Sequence, residues 1–258
     1  ASALTRAAVV NSIRFTLTET TAGGGAIPAV LLGSLRKFLA TLQDVDLKVR
    51  RGALLALNCV SHNKPAAVRD HLPELLPMLY EETRKKAELV HTVDLGPFKH
   101  QVDDGLELRK AGFETMDTLL DGCPDRLELP QFLVHLTDGL KDDHDIKLLC
   151  HIMLRKLAAA PGSAAVVVAS LEAIVEPLRS TICATLKDNA VKQQIERHEE
   201  LVASGMRTAR AIEKCADADT VPKFEEFVRT TLRGGKLAER YNAIVAEDEA
   251  KASGADAQ

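Results

Sequence analysis

Apolar side chains recur along most of this chain at the three- and four-residue spacing of an amphipathic helix. Leu31, Leu35, Phe38 and Leu42 mark one helix within residues 27–43. Val68, Leu72, Leu75, Leu76 and Leu79 mark a second within 65–82, and residues 127–140 and 166–186 carry two more. Partner stripes lie between them: Val49, Ala53, Ala56 and Val60, then Leu108, Gly112, Met116 and Leu119, and later Val191, Ile195, His198, Val202, Ala209 and Ile212. The small residues Ala53 and Gly112 hold equivalent positions, which predicts close approach of neighbouring helices. Each partner helix follows an acidic or Asn turn, at Asp44–Asp46, Asp103–Asp104, Asp142–Asp145 and Asp188–Asn189. Such side chains cap helix N-termini by accepting bonds from free backbone N–H groups.

One stretch breaks the pattern. ELVHTVDLGPFKHQV, residues 88–102, has β-branched and alternating arms around the turn signal Asp94-Leu95-Gly96-Pro97. It reads as a β-hairpin or a long structured loop. The repeat spacing marks the same place. Leu108 and Leu148 are 40 residues apart, Leu148 and Val191 are 43, but Val49 and Leu108 are 59. Two-helix repeats of about 40–47 residues are the HEAT and armadillo signature. The long interval therefore holds roughly 19 surplus residues over a repeat of about 40, between Tyr80 and Asp103. The predicted fold is all-α, a right-handed HEAT-repeat α-solenoid over residues 1–215 with a β-hairpin inserted at 88–102.

The ends of the array are read the same way. Leu4-Thr-Arg6-Ala-Ala-Val-Val aligns with Val49-Arg-Arg51-Gly-Ala-Leu-Leu at an offset of 45. Residues 1–20 are then the second half of a repeat, and further repeats are expected before Ala1. Gly23-Gly24-Gly25 is expected to be an inter-repeat loop. Residues 216–246 are expected to form polar capping helices, and 247–258 a disordered tail.

Composition supports this picture. Hydrophobic residues make up 46% and aromatics 3%, with no Trp; small aliphatic cores suit helix-on-helix packing. A net charge of -4 with scattered Lys and Arg argues against nucleic-acid binding, which needs a basic stripe. Cys59, Cys123, Cys150, Cys183 and Cys215 are far apart and odd in number, so reduced, mostly buried thiols in the cytoplasm or nucleus are expected. The longest uncharged run, 157–171, is short and broken by Pro161 and Gly162, so no membrane span is expected.

Candidate chemistry is sparse. Gly23–Gly25 and Gly234-Gly235-Lys236 lack the spacing of a phosphate loop. Asp142-Asp143-His144-Asp145 lacks the spaced oxygens of a calcium loop and reads as a capping turn. His198 reads as a core histidine. No paired-ligand spacing supports a metal, and no order of residues suggests a catalytic triad, so no enzyme, metal or cofactor is expected. Arg50-Arg51 and Arg109-Lys110 recur just inside helix starts and read as an Asp–Arg ladder between successive repeats in preference to a basic stripe for an acidic partner. Long ordered insertions in compact arrays tend to carry function, and Phe98 beside the turn would suit an apolar anchor.

At this point a resemblance becomes specific. GPFKHQVDDGLELRKAGFETMDTLLDGC (96–123), VRRGALLALN (49–58), HNKP (62–65), DGLKDDHDIKLL (138–149) and VEPLR (175–179) resemble the C-terminal region of the cullin-associated, neddylation-dissociated (Cand) family. The resemblance runs from about Ser2 to Cys215. It implies a non-enzymatic HEAT solenoid, cytoplasmic and nuclear, that binds the N-terminal region of a cullin in a cullin–RING ubiquitin ligase core lacking the ubiquitin-like modifier. It further implies competition with the substrate-receptor adaptor, and hence a part in substrate-receptor exchange or assembly control. The family's hairpin falls on 88–102, and Val93, Asp94, Leu95, Gly96, Pro97, Phe98, Lys99 and His100 are its expected contacting tip. The alternative is a generic HEAT scaffold or transport receptor that holds protein cargo on its concave face.

Overall fold

The computed structural model describes residues 2–22, 34, 35, 37, 39–96, 98–187 and 189–255. The chain divides into two compact units, 1–128 and 129–258, a boundary that the repeat reading of 1–215 does not contain. Among the described residues the only sheet is one two-stranded ladder; nearly all the rest of the regular structure is helix, as the apolar spacing requires.

Unit 1 runs through α1 (Ala3–Ala22), a 3-10 turn (Ala40–Gln43), α2 (Leu47–Asn63), α3 (Pro65–Arg69) and α4 (Leu72–Glu82), then β1 (Val90–Leu95), β2 (Phe98–Asp103) and α5 (Leu106–Gly122). Helix α2 packs on α1 on one side and on α5 on the other, and α4 packs on α5. The stripes explain this. Val49, Ala53, Ala56 and Val60 are all fully buried, and so are Leu108, Gly112, Met116 and Leu119. A Cβ on Gly112 would lie 3.2 Å from the Thr83 side chain and against the Glu82 backbone, so α5 meets the end of α4 closely. Thr115 Oγ1 spends its hydrogen on the α5 carbonyl of Ala111 (2.7 Å) with the α2 carbonyl of Leu54 at 3.3 Å, which satisfies a buried hydroxyl.

Unit 2 comprises α6 (Leu129–Gly139), α7 (His144–Ala159), α8 (Pro161–Ala169), α9 (Leu171–Ile182), α10 (Lys192–Glu213) and α11 (Pro222–Glu226). A π-helical stretch (Phe227–Arg233) and α12 (Ala238–Ala255) complete it. Helix α10 packs on α7, α9 and α12. Phe132, Phe224 and Phe227 anchor its core. Among the described residues no single helix is long and apolar enough to cross a membrane.

Several expected boundaries move. The helix expected over 65–82 breaks at Asp70-His71, because Pro73 would clash with the carbonyl of Arg69 in a continuous helix. That expected over 166–186 becomes α8 and α9, starting at Pro161 and ending at Ile182. Of the stripe in 27–43, Leu35 and Leu42 are buried, while Leu31, Phe38 and the Gly23–Gly25 loop lie outside the described residues. On α10 the stripe is buried only from Val202 onward; Val191 and Ile195 are exposed and His198 partly so. The tail expected to lose order after Ala246 stays helical to Ala255. It has no apolar stripe, but Asp248 pairs with Arg210 (3.3 Å) and Lys214 (3.1 Å), and Glu249 with Arg210 (3.2 Å). Charge complementarity to α10 does there what apolar burial does elsewhere.

Caps follow the expected chemistry at the starts of α2 and α7. Asp46 accepts from the amides of Lys48 and Val49 at the start of α2, and Asp143 accepts from Asp145 N–H at the start of α7. At α5 the cap position is Gly105, with no side-chain acceptor, and at α10 it is Val191, with Asp188 of the expected turn outside the described residues.

Candidate functional site

The expected insertion is a β-hairpin, with strands at Val90–Leu95 and Phe98–Asp103, close to the 88–102 bounds read from sequence. The strands are antiparallel and in simple register: Val90 opposite Asp103, His91 opposite Val102, Thr92 opposite Gln101, Val93 opposite His100, Asp94 opposite Lys99, Leu95 opposite Phe98. Positions 96 and 97 lie between the strands. Gly96 has φ of 66°, the left-handed conformation that tight hairpin loops demand and that a side chain disfavours. Because opposite residues share a face, positions 91, 93, 95, 98, 100 and 102 fall on one side, which is the more apolar by composition. Positions 92, 94, 99 and 101 fall on the other and are polar.

The hairpin is held at its root and open at its tip. Arg109, near the start of α5, is 1% exposed and grips Asp103 at the end of β2 with both arms of its guanidinium, Nη1–Oδ1 at 3.1 Å and Nη2–Oδ2 at 2.9 Å. Asp103 Oδ1 also accepts from Gly105 N–H at 3.0 Å, and Asp104 N–H donates to the carbonyl of Leu89 at 3.0 Å, just before β1. A fork-to-carboxylate pair fixes orientation as well as distance. Arg109's hydrogen bonds hold the Asp103 carboxyl below the usual carboxylate range, against the upward push of its burial.

Of the expected tip residues, Asp94, Gly96, Lys99 and His100 are exposed and Val93 is partly so. Leu95 and Phe98 are the last ladder pair before the turn, and Pro97 lies outside the described residues. His91, Thr92 and Gln101 are exposed too, so the open surface extends below the tip. Sequence reasoning did not single out the Asp103–Arg109 clamp. Its only signal was an Asp two residues before the cap position of a helix whose fourth residue is Arg.

The other candidates resolve into structure. The repeated basic positions form the expected ladder only in part, and with Glu as acceptor in place of Asp: Arg50 pairs with Glu82 (2.9 Å) and Arg51 with Glu107 (3.0 Å), whereas Arg109 turns to the nearby Asp103 and Lys110 to Glu107 one turn before it (3.7 Å). Arg6 pairs with Asp44 (2.6 Å). In the 142–145 turn, His144 Nε2 meets the Arg197 carbonyl at 2.8 Å and Asp145 pairs with Arg197 at 3.1 Å, tying α7 to α10. His198 is only partly buried, whereas His151 is fully so. Its Nδ1 meets Ser204 Oγ at 3.2 Å, and burial above all, then nearby cations, lowers its pKa to about 3, so the ring is neutral. Four of the five thiols are buried or partly so, Cys183 is exposed, and all five are free.

The TIP120 family, described as TATA-binding protein interacting (TIP20), matches residues 67–231. Cullin-associated NEDD8-dissociated protein 1 of Dictyostelium discoideum is 45% identical over 96% of this chain, and its Arabidopsis thaliana counterpart 41% over 94%. The protein named as the C-terminal part of the same factor in Emericella nidulans is 36% identical over 81%. The chain spans about a fifth of the length of these relatives, 20% in each case. Two crystal structures of engineered proteins share its fold, with TM-scores of 0.54 and 0.50 at 15% and 12% identity. The first alignment covers 95% of this chain and 92% of the other, the second 93% and 88%. With the family matched across the hairpin, its clamp and most of unit 2, the chain is a member of the TIP120 family and corresponds to the C-terminal part of its cullin-associated NEDD8-dissociated relatives.

Proposed function

We propose that this chain is a non-enzymatic binding element that engages the N-terminal region of a cullin in a cullin–RING core lacking the ubiquitin-like modifier. In this reading the hairpin tip, Val93 to His100, covers surface that the substrate-receptor adaptor needs, so the two compete and the chain takes part in substrate-receptor exchange. One observation carries the proposal: an exposed hairpin with a buried, doubly bonded root, in a chain whose relatives are named for association with cullins. An anchored root lowers the ordering cost of docking the tip, which is the general advantage of preorganisation. Five free cysteines suit the reducing cytoplasm and nucleus, where we place the activity.

The test removes the tip and keeps the root. Replacing Thr92–Gln101 by Asn-Gly joins His91 to Val102, a pair with the same place in the hydrogen-bond alternation as Leu95 and Phe98, so a two-residue loop can close it. Competition with the adaptor for an unmodified cullin–RING core is then measured by fluorescence. Loss of competition with the helical content preserved is the expected result. Undiminished competition would sink the hairpin mechanism and favour a scaffold that binds through its helical faces.

A further inference from the structure

Unit 2 contains a cavity of about 500 Å³ between α7, α10 and α12. Five cations line it, Arg155, Arg207, Arg210, Lys214 and Lys251, against two carboxylates, Glu247 and Asp248. Four of the five have acidic partners. Arg210 pairs with Glu213, Asp248 and Glu249, Lys214 with Asp248, Lys251 with Glu247, and Arg207 reaches Glu247 at 3.8 Å.

Arg155 has none. Among the described residues it meets only neutral oxygens, all through Nη1 and all long: Ser204 Oγ at 3.3 Å, Thr208 Oγ1 at 3.4 Å and the Ser204 carbonyl at 3.5 Å. Burial first, and then the charge of Arg207, lowers its pKa from the ordinary arginine value. A partly desolvated guanidinium with a poorly used donor fork is a place where an entering anion gains strong, charge-assisted bonds.

The surroundings narrow the ligand. The cavity is many times the roughly 30 Å³ of a water molecule, so it accommodates several side chains together. Its walls include Ala158, Ala211 and Ile244, which offer apolar contact beside the charges. The same basic face already accepts the acidic run Glu247-Asp248-Glu249 of α12, so it suits carboxylates presented on a polypeptide. We propose that the cleft docks an acidic segment of a protein partner, with carboxylates on Arg155 and Arg207 and an apolar side chain against Ile244. This contact is separate from the hairpin and does not depend on the cullin reading.

The probe is a fluorescein-labelled peptide of alternating Glu-Glu-Leu triplets, titrated with the full chain and followed by anisotropy. Binding that weakens with added salt is expected. Arg155→Met should weaken it roughly tenfold and Arg207→Gln by a smaller factor, whereas Arg229→Gln, outside the cleft, should leave it unchanged. Should Arg155→Met fail to fold by circular dichroism, Arg207→Gln carries the test. The variant lacking the hairpin tip should bind the peptide normally, which keeps this outcome distinct from that of the competition assay. No binding by the unaltered chain, or equal binding by both cleft variants, would overturn the proposal. So would inorganic phosphate binding as tightly as the peptide with the same dependence on Arg155, because the site would then be one for a small anion.

Discussion

Two arginines, one in each unit, are drawn out of water to opposite ends. Arg109 at the hairpin root is fully buried and spends both arms on one carboxylate. Arg155 at the cleft of unit 2 is partly buried and, among the described residues, touches only neutral oxygens at long range. Desolvating a charge costs free energy in both places, and only the first recovers it within the chain. An arginine that completes its bonds internally fixes a structure. One that leaves them incomplete beside a cavity is fitted to recover them from a partner.

The same substitution should therefore act with different size and sign at the two sites. Arg109→Met removes one member of a buried pair and leaves Asp103 with a single amide donor, so stability should fall by about 3 kcal/mol in urea denaturation. Amide exchange should speed up through the hairpin before it does in α2. Part of that loss is pH-dependent. The Asp103 carboxyl is held low in the folded chain, so its pairing contributes stability above the ordinary Asp value of about 3.9 and loses it as pH falls through the lower folded value. The gap between the original chain and Arg109→Met should thus be constant near neutrality and shrink in acid. A gap that widened on acidification would refute the clamp.

Gly96→Ala should have a smaller and local effect. Its φ of 66° costs a residue with a side chain about 1 kcal/mol. Hairpin amides should exchange faster while the urea midpoint stays almost unchanged, because the turn lies outside the helical core. The smallest effect is expected from Arg155→Met, a change within about 0.5 kcal/mol and in the stabilising direction, since a desolvated cation without an acid is replaced by an apolar chain. A large destabilisation by Arg155→Met would mean that its contacts to Ser204 and Thr208 are structural, and the contrast between the two arginines would collapse.

The pattern along the chain predicted the buried faces of α2 and α5 position by position, because helical periodicity is a local property and both stripes are uninterrupted. The hairpin was legible for two reasons: its arms alternate, and its length disturbs an otherwise regular repeat. Pro73 and Pro161 carried legible information about where helices break or begin, and the long helices expected over 65–82 and 166–186 did not use it. The stripe on α10 misled at Val191 and Ile195, since a periodic face shows which side could be buried but not whether a neighbour reaches it.

By itself, then, the sequence determined the helical repeats, the place of the insertion and the glycine at its turn, all of which depend on residues close along the chain. Only the tertiary structure decided that Asp103 meets Arg109, that α12 lies by its acids on α10, and that Arg155 meets no acid among the described residues. Periodicity reports which faces seek burial. Which charges find each other depends on how segments far apart in sequence pack, and whether a charge is left over is visible only when all its possible partners are in place.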